Sequence, residues 1–301
     1  MYDLIIIGGG PAGLTAGLYA GRYRLNTIIL EKVYPGGRIL MTETIENFPG
    51  FVGGVSTKDL MSRLEEQVKE LGVVVELTEV LELDCKSKTV NCEHKAYQAN
   101  AVIIATGASP RKLAVRGEDE LIGRGVSYCA TCDGPLYKDK KVVVVGGGNA
   151  AIEETLYLTR FAKSVNVIHR RGELRASKIL QEKLKENKKI NLILSSTITE
   201  ISGASRIESI KIKNVENNRE QVFPCDGIFI YIGNEPNTTF VKNQLETDER
   251  GFLITDQELE TSKDGIFACG DCRSKSLYQV ITACGEGAIA ADSAQRYLLN
   301  K

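Results

Sequence analysis

The sequence has no excess of positive charge, no long apolar run and very little histidine. Its 38 Lys and Arg residues are balanced by 39 Asp and Glu residues, which leaves a formal net charge of −1. This balance gives no electrostatic reason to expect nucleic acid or an acidic membrane as a partner. No apolar run reaches the roughly 18 residues of a membrane span. The opening MYDLIIIGGG lacks a basic stretch and a small-residue cleavage site, so we expect no signal peptide and a cytoplasmic protein.

The cysteines do not follow the pattern of a secreted, disulfide-stapled protein. Eight cysteines are scattered over 301 residues, a length that suffices for one large or two ordinary domains. Two of them form a C-x-x-C pair in SYCATCDG, Cys129 and Cys132. In a reducing cytoplasm such a pair is more often redox-active or metal-binding than structural. His94 and His169 are the only histidines, which leaves little material for a histidine-based charge relay.

An internal repeat predicts two nucleotide sites. Residues 3–32 align without a gap on residues 141–170, each running from a β-branched strand through a glycine turn into a helix and a second strand. This is a βαβ unit with G-x-G-x-x-G/A at its first turn, which places phosphates on a helix N-terminus. The predicted phosphate-binding residues are Gly8, Gly10, Pro11, Ala12 and Gly13 in the first copy, and Gly146, Gly148, Asn149 and Ala150 in the second.

The residues that close the two copies differ in charge. Glu31 ends the first copy, where a carboxylate is expected to bind the ribose hydroxyls of an adenosine. The second copy has His169 at that position, followed by Arg170, Arg171 and Arg175. Guanidinium groups bind a 2′-phosphate through charge-assisted hydrogen bonds, so the second site suits NADP. A solvated basic loop is the alternative interpretation of HRRGELR.

A second pair of similar segments sets the domain plan. VIIATGASP at 102–110 matches IFIYIGNEP at 228–236, and each is typical of the last strand of a nucleotide-binding module. Polar stretches at 111–125 and 244–251 are predicted to be linkers. We therefore expect an α/β protein with two Rossmann-like, three-layer domains, doubly wound or nearly so, the second inserted into the first. The expected bounds are 1–112 with 249–301 for the outer domain and 113–248 for the inserted one.

Together, GGGPAG, ATG, the late GD, the inserted GGGNAA with HRR, and CATCDG resemble the low-molecular-weight bacterial thioredoxin reductases over essentially the whole chain. The resemblance implies FAD in the outer domain, NADPH in the inserted one, a homodimer, and thioredoxin or a thioredoxin-like protein as substrate. Arg38 and Tyr278 depart from the family, which usually carries Gln and Arg there. Further flavin-site residues implied are Gly37, Asn47, Thr106, Gly107, Gly270, Asp271, Gln279 and Val280.

The resemblance also assigns the chemistry of CATCDG. It makes Cys132 the flavin-proximal sulfur, Cys129 the one that attacks the protein substrate, and Asp133 the general acid–base. Because the disulfide and the nicotinamide must both reach one flavin face, the inserted domain is expected to rotate about the linkers.

Other functions compete with this hypothesis. One is a ferredoxin- or flavodoxin-NADP reductase, a second is a disulfide reductase fed by ferredoxin, and a third is a redox-sensing flavoprotein without catalysis. A four-cysteine zinc site would need CGDC as well, but Asp271 within it is required by the flavin, so we predict no metal. Cys225, Cys269, Cys272 and Cys284 are predicted to fill core positions. Cys85 and Cys92 flank a predicted hairpin, which could bring them near each other across the strands, and they receive no role.

Overall fold

The computed structural model describes residues 1–41, 44–45, 47–241 and 243–300, and the side chains of Met41, Thr131 and Cys132 lie outside that description. The first part of the chain contains β1 (Tyr2–Ile7), α1 (Pro11–Arg22), β2 (Thr27–Glu31), β3 (Thr44–Ile45), β4 (Val55–Ser56), α2 (Thr57–Glu70), β5 (Val74–Leu77), β6 (Val80–Asp84), β7 (Thr89–Cys92), β8 (Ala96–Ile104) and β9 (Ala108–Pro110). The middle part contains β10 (Val126–Ser127), α3 (Ala130–Asp133), β11 (Lys141–Val145), α4 (Asn149–Leu158), β12 (Ser164–Ile168), α5 (Lys178–Glu186), β13 (Ile190–Ile193), β14 (Ser196–Ser202), β15 (Ser209–Asn214), β16 (Glu220–Pro224) and β17 (Gly227–Ile230). The last part contains β18 (Asn234–Pro236), β19 (Ile266–Ala268) and α6 (Val280–Leu299), and short 3₁₀ turns occupy Gly37–Met41, Asp119–Leu121, Gly134–Tyr137, Thr239–Val241 and Gly270–Cys272.

The chain forms two compact units. The outer unit comprises residues 1–109 and 235–301, and the inserted unit comprises residues 110–234. The chain passes between them at 109/110 and 234/235, where β9 pairs with β18.

A parallel sheet forms the centre of the outer unit. Its strands follow the order β5-β2-β1-β8, with β19 also paired to β8. Ile5 lies opposite Ile28 on one side and Val102 on the other. These runs of β-branched residues are apolar on both faces because both faces of the sheet are covered.

Two different layers cover that sheet. On one face, α1, α2 and α6 bury a cluster that includes Leu14, Val68 and Phe267. On the other, the antiparallel strands β6 and β7, continued from the first half of β8, bury Leu83 and Val90. The outer unit therefore has three layers: helices, parallel strands and an antiparallel strand layer.

The inserted unit repeats this plan. Its parallel sheet runs β10-β17-β11-β12-β13. The helices α4 and α5 cover one face around Ile152 and Leu180. The antiparallel sheet β14-β15-β16 covers the other face, with Ile198 and Ile210 in the core and with polar residues between the buried ones on β15.

The α/β class, the parallel Rossmann-like sheets and the three layers predicted from the sequence are confirmed. The doubly wound arrangement is wrong, because antiparallel strands and not helices form the third layer. Alternating burial along Ser209–Asn214 explains this, since a period of two suits a strand with one solvated face.

The two predicted linkers lie inside the units and not between them. In the stretch 111–125, the carboxylate of Glu118 is 1 % exposed and accepts the N–H groups of Leu113 and Ala114 at 2.9 and 2.7 Å. In the stretch 244–251, Asp248 accepts the N–H of Phe252 at 3.0 Å. Polar residues here satisfy buried backbone groups, a role that composition alone cannot distinguish from solvation. In the described ranges, no helix is both long and apolar enough to cross a membrane.

Candidate nucleotide sites and redox centre

The first glycine turn, between β1 and α1, needs glycine at two positions for packing and leaves the third open. Gly8 has a φ of +107°, and a Cβ there would meet the carbonyl oxygen of Ala105. A Cβ on Gly13 would meet the carbonyl oxygen of Gly8. By contrast, the nearest atom to a Cβ on Gly10 is 3.9 Å away, on Gly37. Gly10 is therefore the position at which a ligand can approach the backbone.

The helix that follows this turn starts without a cap. Gly10 is the N-cap of α1, no side chain bonds the first N–H groups, and no acidic residue occupies the first turn. Pro11 stands at the first helical position and Ala12 is buried. Uncapped N–H groups at the positive end of a helix dipole are suited to bind phosphate.

The second glycine turn, between β11 and α4, reproduces these features. Gly146 has a φ of +151°, and a Cβ there would meet the carbonyl oxygen of Tyr231. A Cβ on Gly148 would find no atom within 4 Å, and Gly148 caps α4 without a side-chain hydrogen bond or an acidic residue in the first turn. Asn149, the next residue, accepts the N–H of Ser177 at 2.8 Å. Ala150 follows on the same first turn of α4.

The residues after the second strand of each repeat lie beside their own glycine turn. The carboxylate of Glu31 accepts the N–H of Gly9 at 2.7 Å and that of Val33 at 3.0 Å. In the inserted unit, a Cβ on Gly147 would lie 2.5 Å from the ring of His169, so this imidazole packs directly under the turn. The structure thus brings each closing residue to the turn that the repeat predicted.

The basic segment after β12 offers cationic side chains around a neutral imidazole. His169 is buried, and its Nε2 has no hydrogen-bond partner among the described residues. Burial lowers the pKa of His169, and the charges of Arg175, Arg171 and Arg170 lower it further, in that order. The imidazole is therefore neutral at pH 7, while all three guanidinium groups are exposed. Of these four side chains, the arginines and not His169 therefore supply the positive charge for a phosphate.

Outside the glycine turn, most predicted flavin-site residues of the outer unit lie after β8 and β19 and at the start of α6, whereas Gly37 begins a 3₁₀ turn and Asn47 lies between β3 and β4. Asp271 follows β19, and its Oδ1 is buried without a hydrogen-bond partner in the ranges that the structure covers. Gln279 is the N-cap of α6, just before Val280, and its Oε1 accepts Nδ2 of Asn47 at 2.8 Å. After β8, the hydroxyl of Thr106 donates to the carbonyl of Asn237 at 2.7 Å, and Gly107 and Gly270 both have positive φ values.

Cys129 is disulfide-bonded and stands immediately before α3. Its N–H donates to Oγ of Ser127 at 3.1 Å. The next N–H, on Ala130, donates to the hydroxyl of Tyr231 at 2.6 Å. Asp133 ends α3. The side chain of Cys132 lies outside the described residues, so its predicted role is not addressed by the structure.

A buried carboxylate supports the segment that leads into this centre. The hydroxyl of Tyr128 donates to Glu118 at 2.7 Å. The pKa of Tyr128 is raised by burial first and by that hydrogen bond second. Neither Glu118 nor Tyr231 was predicted. Tyr231 lies in IFIYIGNEP, which was interpreted as a strand and turn, and nothing in the sequence indicates that its hydroxyl reaches the C-x-x-C segment.

The other described cysteines are free thiols: Cys85, Cys92, Cys225, Cys269, Cys272 and Cys284. Burial raises the pKa of each, to about 11 for Cys272 and about 12 for Cys225. Such thiols are poor nucleophiles at neutral pH. Cys92 pairs with Val80 and Cys85 follows Asp84, so they lie at opposite ends of the β6–β7 hairpin. In the ranges that the structure covers, no group of three or more His, Cys, Asp or Glu residues could hold a metal.

A family model described as pyridine nucleotide-disulphide oxidoreductase matches residues 2–287. The chain belongs to this family. A curated thioredoxin reductase from Listeria innocua is 45% identical over 301 residues, covering 99% of this chain and 94% of the relative. One from Peptoclostridium litorale is 44% identical over 306 residues, covering 99% and 97%. The solved thioredoxin reductase of Lactococcus lactis, in an FR conformation, matches with a TM-score of 0.87 and 41% identity over 100% of both chains. The resemblance stated from the motifs is thereby confirmed.

Proposed function

We propose that this chain passes electrons from NADPH, through FAD, to the disulfide of thioredoxin or a thioredoxin-like protein. Three findings support the proposal: the family, the relatives named thioredoxin reductase, and Cys129 held as a disulfide in the unit with the arginine-rich turn. The last of these carries most weight. A flavoprotein reductase for ferredoxin or flavodoxin has no use for a redox-active cysteine pair.

The outer unit is proposed to hold FAD. Gly10 leaves space for the pyrophosphate at the uncapped start of α1, and the orphaned Oδ1 of Asp271 is an acceptor without a donor. A ribityl hydroxyl would supply that donor. When bound, FAD supplies a two-electron carrier between the nicotinamide and a disulfide. The residues proposed to contact it are Gly8, Gly10, Pro11, Ala12, Gly13, Glu31, Gly37, Asn47, Thr106, Gly107, Gly270, Asp271, Gln279 and Val280.

The inserted unit is proposed to hold NADPH. The space at Gly148 and the bare N-terminus of α4 suit the pyrophosphate. The exposed arginines suit the 2′-phosphate, because a guanidinium pairs with phosphate through two parallel hydrogen bonds. The residues proposed to contact it are Gly146, Gly148, Asn149, Ala150, His169, Arg170, Arg171 and Arg175.

The reduced cysteine pair is proposed to reduce the substrate by thiol–disulfide exchange. The Cys129 thiolate attacks one sulfur of the substrate disulfide, which forms a mixed disulfide and releases the other substrate sulfur as a thiolate. The Cys132 thiolate then attacks the sulfur of Cys129, which forms the Cys129–Cys132 disulfide and releases the second substrate thiolate. The two thiolates take up two protons, one of them delivered by Asp133.

The decisive experiment is steady-state oxidation of NADPH by the purified protein with a thioredoxin as acceptor. We expect turnover with wild type and none with Cys129→Ser, although NADPH should still reduce the flavin of that variant. We expect Cys132→Ser to accumulate a mixed disulfide with thioredoxin. Reduction of thioredoxin only when reduced ferredoxin is supplied would favour a ferredoxin-fed reductase. Oxidation of NADPH without any disulfide acceptor activity would contradict the proposal.

The cytoplasm and a homodimer are also proposed. α6 exposes Ile281 and Ile289, at 41% and 44%, which are apolar side chains on one helix that a second copy could cover. Light scattering on the purified protein should give twice the monomer mass of 33.0 kDa.

A further inference from the structure

Four charged side chains form one cluster beside the Gly270–Asp271 turn. Glu286 of α6 accepts Nη1 of Arg273 on one carboxylate oxygen at 3.0 Å. Its other oxygen accepts the backbone N–H of Gly270 at 2.8 Å and Nζ of Lys275 at 3.3 Å. Nζ of Lys275 also lies 3.3 Å from Oδ1 of Asp271. The ammonium thus stands between two carboxylates.

This cluster is largely withdrawn from water. The exposed fractions of the Arg273, Lys275 and Glu286 side chains are 15%, 7% and 13%, whereas that of Asp271 is 33%. Two cations face two anions, so the cluster is neutral as a whole. Removing one member of such a group leaves a buried charge without compensation, which costs much more than loss of an exposed ion pair.

Lys275 is the cation of the cluster that lies beside Asp271, the proposed flavin contact. Glu286 satisfies both of its oxygens within the protein, whereas Oδ1 of Asp271 has no hydrogen-bond partner in the described part of the chain and lies 3.3 Å from this ammonium. Lys275 therefore compensates the charge of Asp271 without occupying the oxygen in a hydrogen bond. That leaves the oxygen available to a hydroxyl donor.

The aromatic ring of Tyr278 packs against the ammonium of Lys275. Nζ of Lys275 lies 5.4 Å from the centroid of the Tyr278 ring, within the range of a cation–π contact. The ring packs on Phe252 at a centroid distance of 5.6 Å, and its hydroxyl is 3.5 Å from the carbonyl oxygen of Arg273. An arginine at position 278 would put a third cation where this π face now lies.

We propose that Lys275 is a positioning residue for FAD binding. Its ammonium packs on the Tyr278 ring and keeps the Asp271 carboxylate oriented towards the ribityl-pyrophosphate region of the flavin. The inference rests on the proposed binding of FAD to the outer unit. Lys275 acts through Asp271 and is not itself a flavin contact.

The test measures the dissociation constant of FAD for protein freed of its flavin, by flavin fluorescence, with unfolding followed by circular dichroism. We expect Lys275→Met to weaken FAD binding by about 10- to 100-fold, because Asp271 would lose the orientation for its charge-assisted contact with the flavin. Lys263→Met, at an exposed lysine of the same unit, is the matched control and should bind as wild type does. Tyr278→Phe should also bind FAD normally, whereas Tyr278→Leu should weaken it by several-fold.

A double-mutant cycle separates positioning from general destabilisation. If Lys275 acts through Asp271, Lys275→Met should add less than about 2-fold to the loss already caused by Asp271→Asn. Equal losses in both backgrounds, or normal FAD binding by Lys275→Met, would overturn the inference. Wild type that binds no FAD would instead contradict the proposed function.

Discussion

At the scale of single residues, Glu154 on α4 is unusual because burial disfavours the charged form of its carboxyl. Burial, and secondarily the charge of Glu153, raise its pKa from 4.5 to about 7, and its Oε2 has no hydrogen-bond partner among the residues that the structure describes. Between pH 4.5 and pH 7 the folded chain therefore holds a proton that the unfolded chain has released. The free energy of unfolding must fall as pH rises through that window.

Glu154→Gln is expected to remove this pH dependence. At pH 4 the variant should match wild type, since Glu154 is then neutral in both states. At pH 8 it should be more stable, by at most about 3 kcal/mol, the equivalent of roughly 2.5 pKa units. Thermal melts at both pH values measure this. Glu153→Gln, which removes only the lesser cause, should show a smaller gain, and a Glu154→Gln gain that is the same at pH 4 would contradict the assignment.

The arginines of the inserted unit should decide between the two nicotinamide cofactors. Each guanidinium contact to a 2′-phosphate contributes roughly 1.5–3 kcal/mol. Replacing Arg170 and Arg171 together by Ala should therefore raise KM for NADPH by on the order of 100-fold or more, with little effect on NADH. Steady-state kinetics with both cofactors measures this. Unchanged NADPH kinetics would show that HRRGELR is only a solvated loop.

At the scale of secondary-structure elements, the glycine turns separate what folding requires from what binding requires. At Gly13 the backbone of Gly8 leaves no room for a Cβ atom. At Gly148 a Cβ atom would face open space, and the φ of −92° is one that any residue adopts. The sequence alone assigned the same motif to both turns. The motif predicts the tight turn at its first position, the approach of the pyrophosphate at its second and close packing at its third. The structure adds the atoms that a Cβ at each position would meet.

Gly148→Ala should therefore leave the inserted unit as stable as in wild type, within about 1 kcal/mol, but weaken NADPH binding by at least about 10-fold because its methyl group occupies the phosphate's space. Gly13→Ala should destabilise the outer unit by several kcal/mol, because its Cβ would overlap the carbonyl of Gly8. Chemical denaturation and NADPH titration of both variants distinguish these effects. Loss of stability in Gly148→Ala would contradict the assignment.

The sequence predicted the strand–turn–helix units because their pattern is local. Apolar strands, paired glycines and the small-residue helix Val280–Leu299 all follow from residues close together in the chain. The antiparallel strand layer could not be predicted from such local patterns. Glu220–Pro224 has no buried residue, so its strand is fixed by pairing with Ser209–Asn214 and not by its own pattern. The support of the redox segment by Tyr231 depends likewise on a contact between distant segments, because its hydroxyl accepts the N–H of Ala130.

At the scale of the whole molecule, the ends of the inserted unit lie together. The N–H of Arg111 donates to the carbonyl of Gly233, and on the other side the N–H of Asn237 donates to Gly107, at 2.9 and 3.0 Å. The rotation expected from the family stays a prediction, and these paired connections, not the stretches 111–125 and 244–251, are where it would occur.

Residues 110–234 alone should form a stable domain. Their core is drawn entirely from that range, and their ends need no partner to stay close. The excised domain should show cooperative thermal unfolding and retain binding of NADP⁺ within about 10-fold of the full chain, with the Arg170→Ala, Arg171→Ala variant as control. An excised domain without a cooperative transition would show that it depends on the outer unit.

The pairing of β19 with β8, and the packing of α6 on α1, carry a consequence for biosynthesis. Residues 1–109 cannot bury Leu4, Ile103 and their neighbours until Phe267 and Ala290 have been added. At a synthesis rate of about 5–20 residues per second, that segment waits about 10 to 40 s on the ribosome with part of its core uncovered. The inserted unit is completed during this interval. Of the segments of a nascent chain, residues 1–109 therefore expose their apolar core for the longest time. We expect chaperones to bind the nascent chain chiefly at this segment.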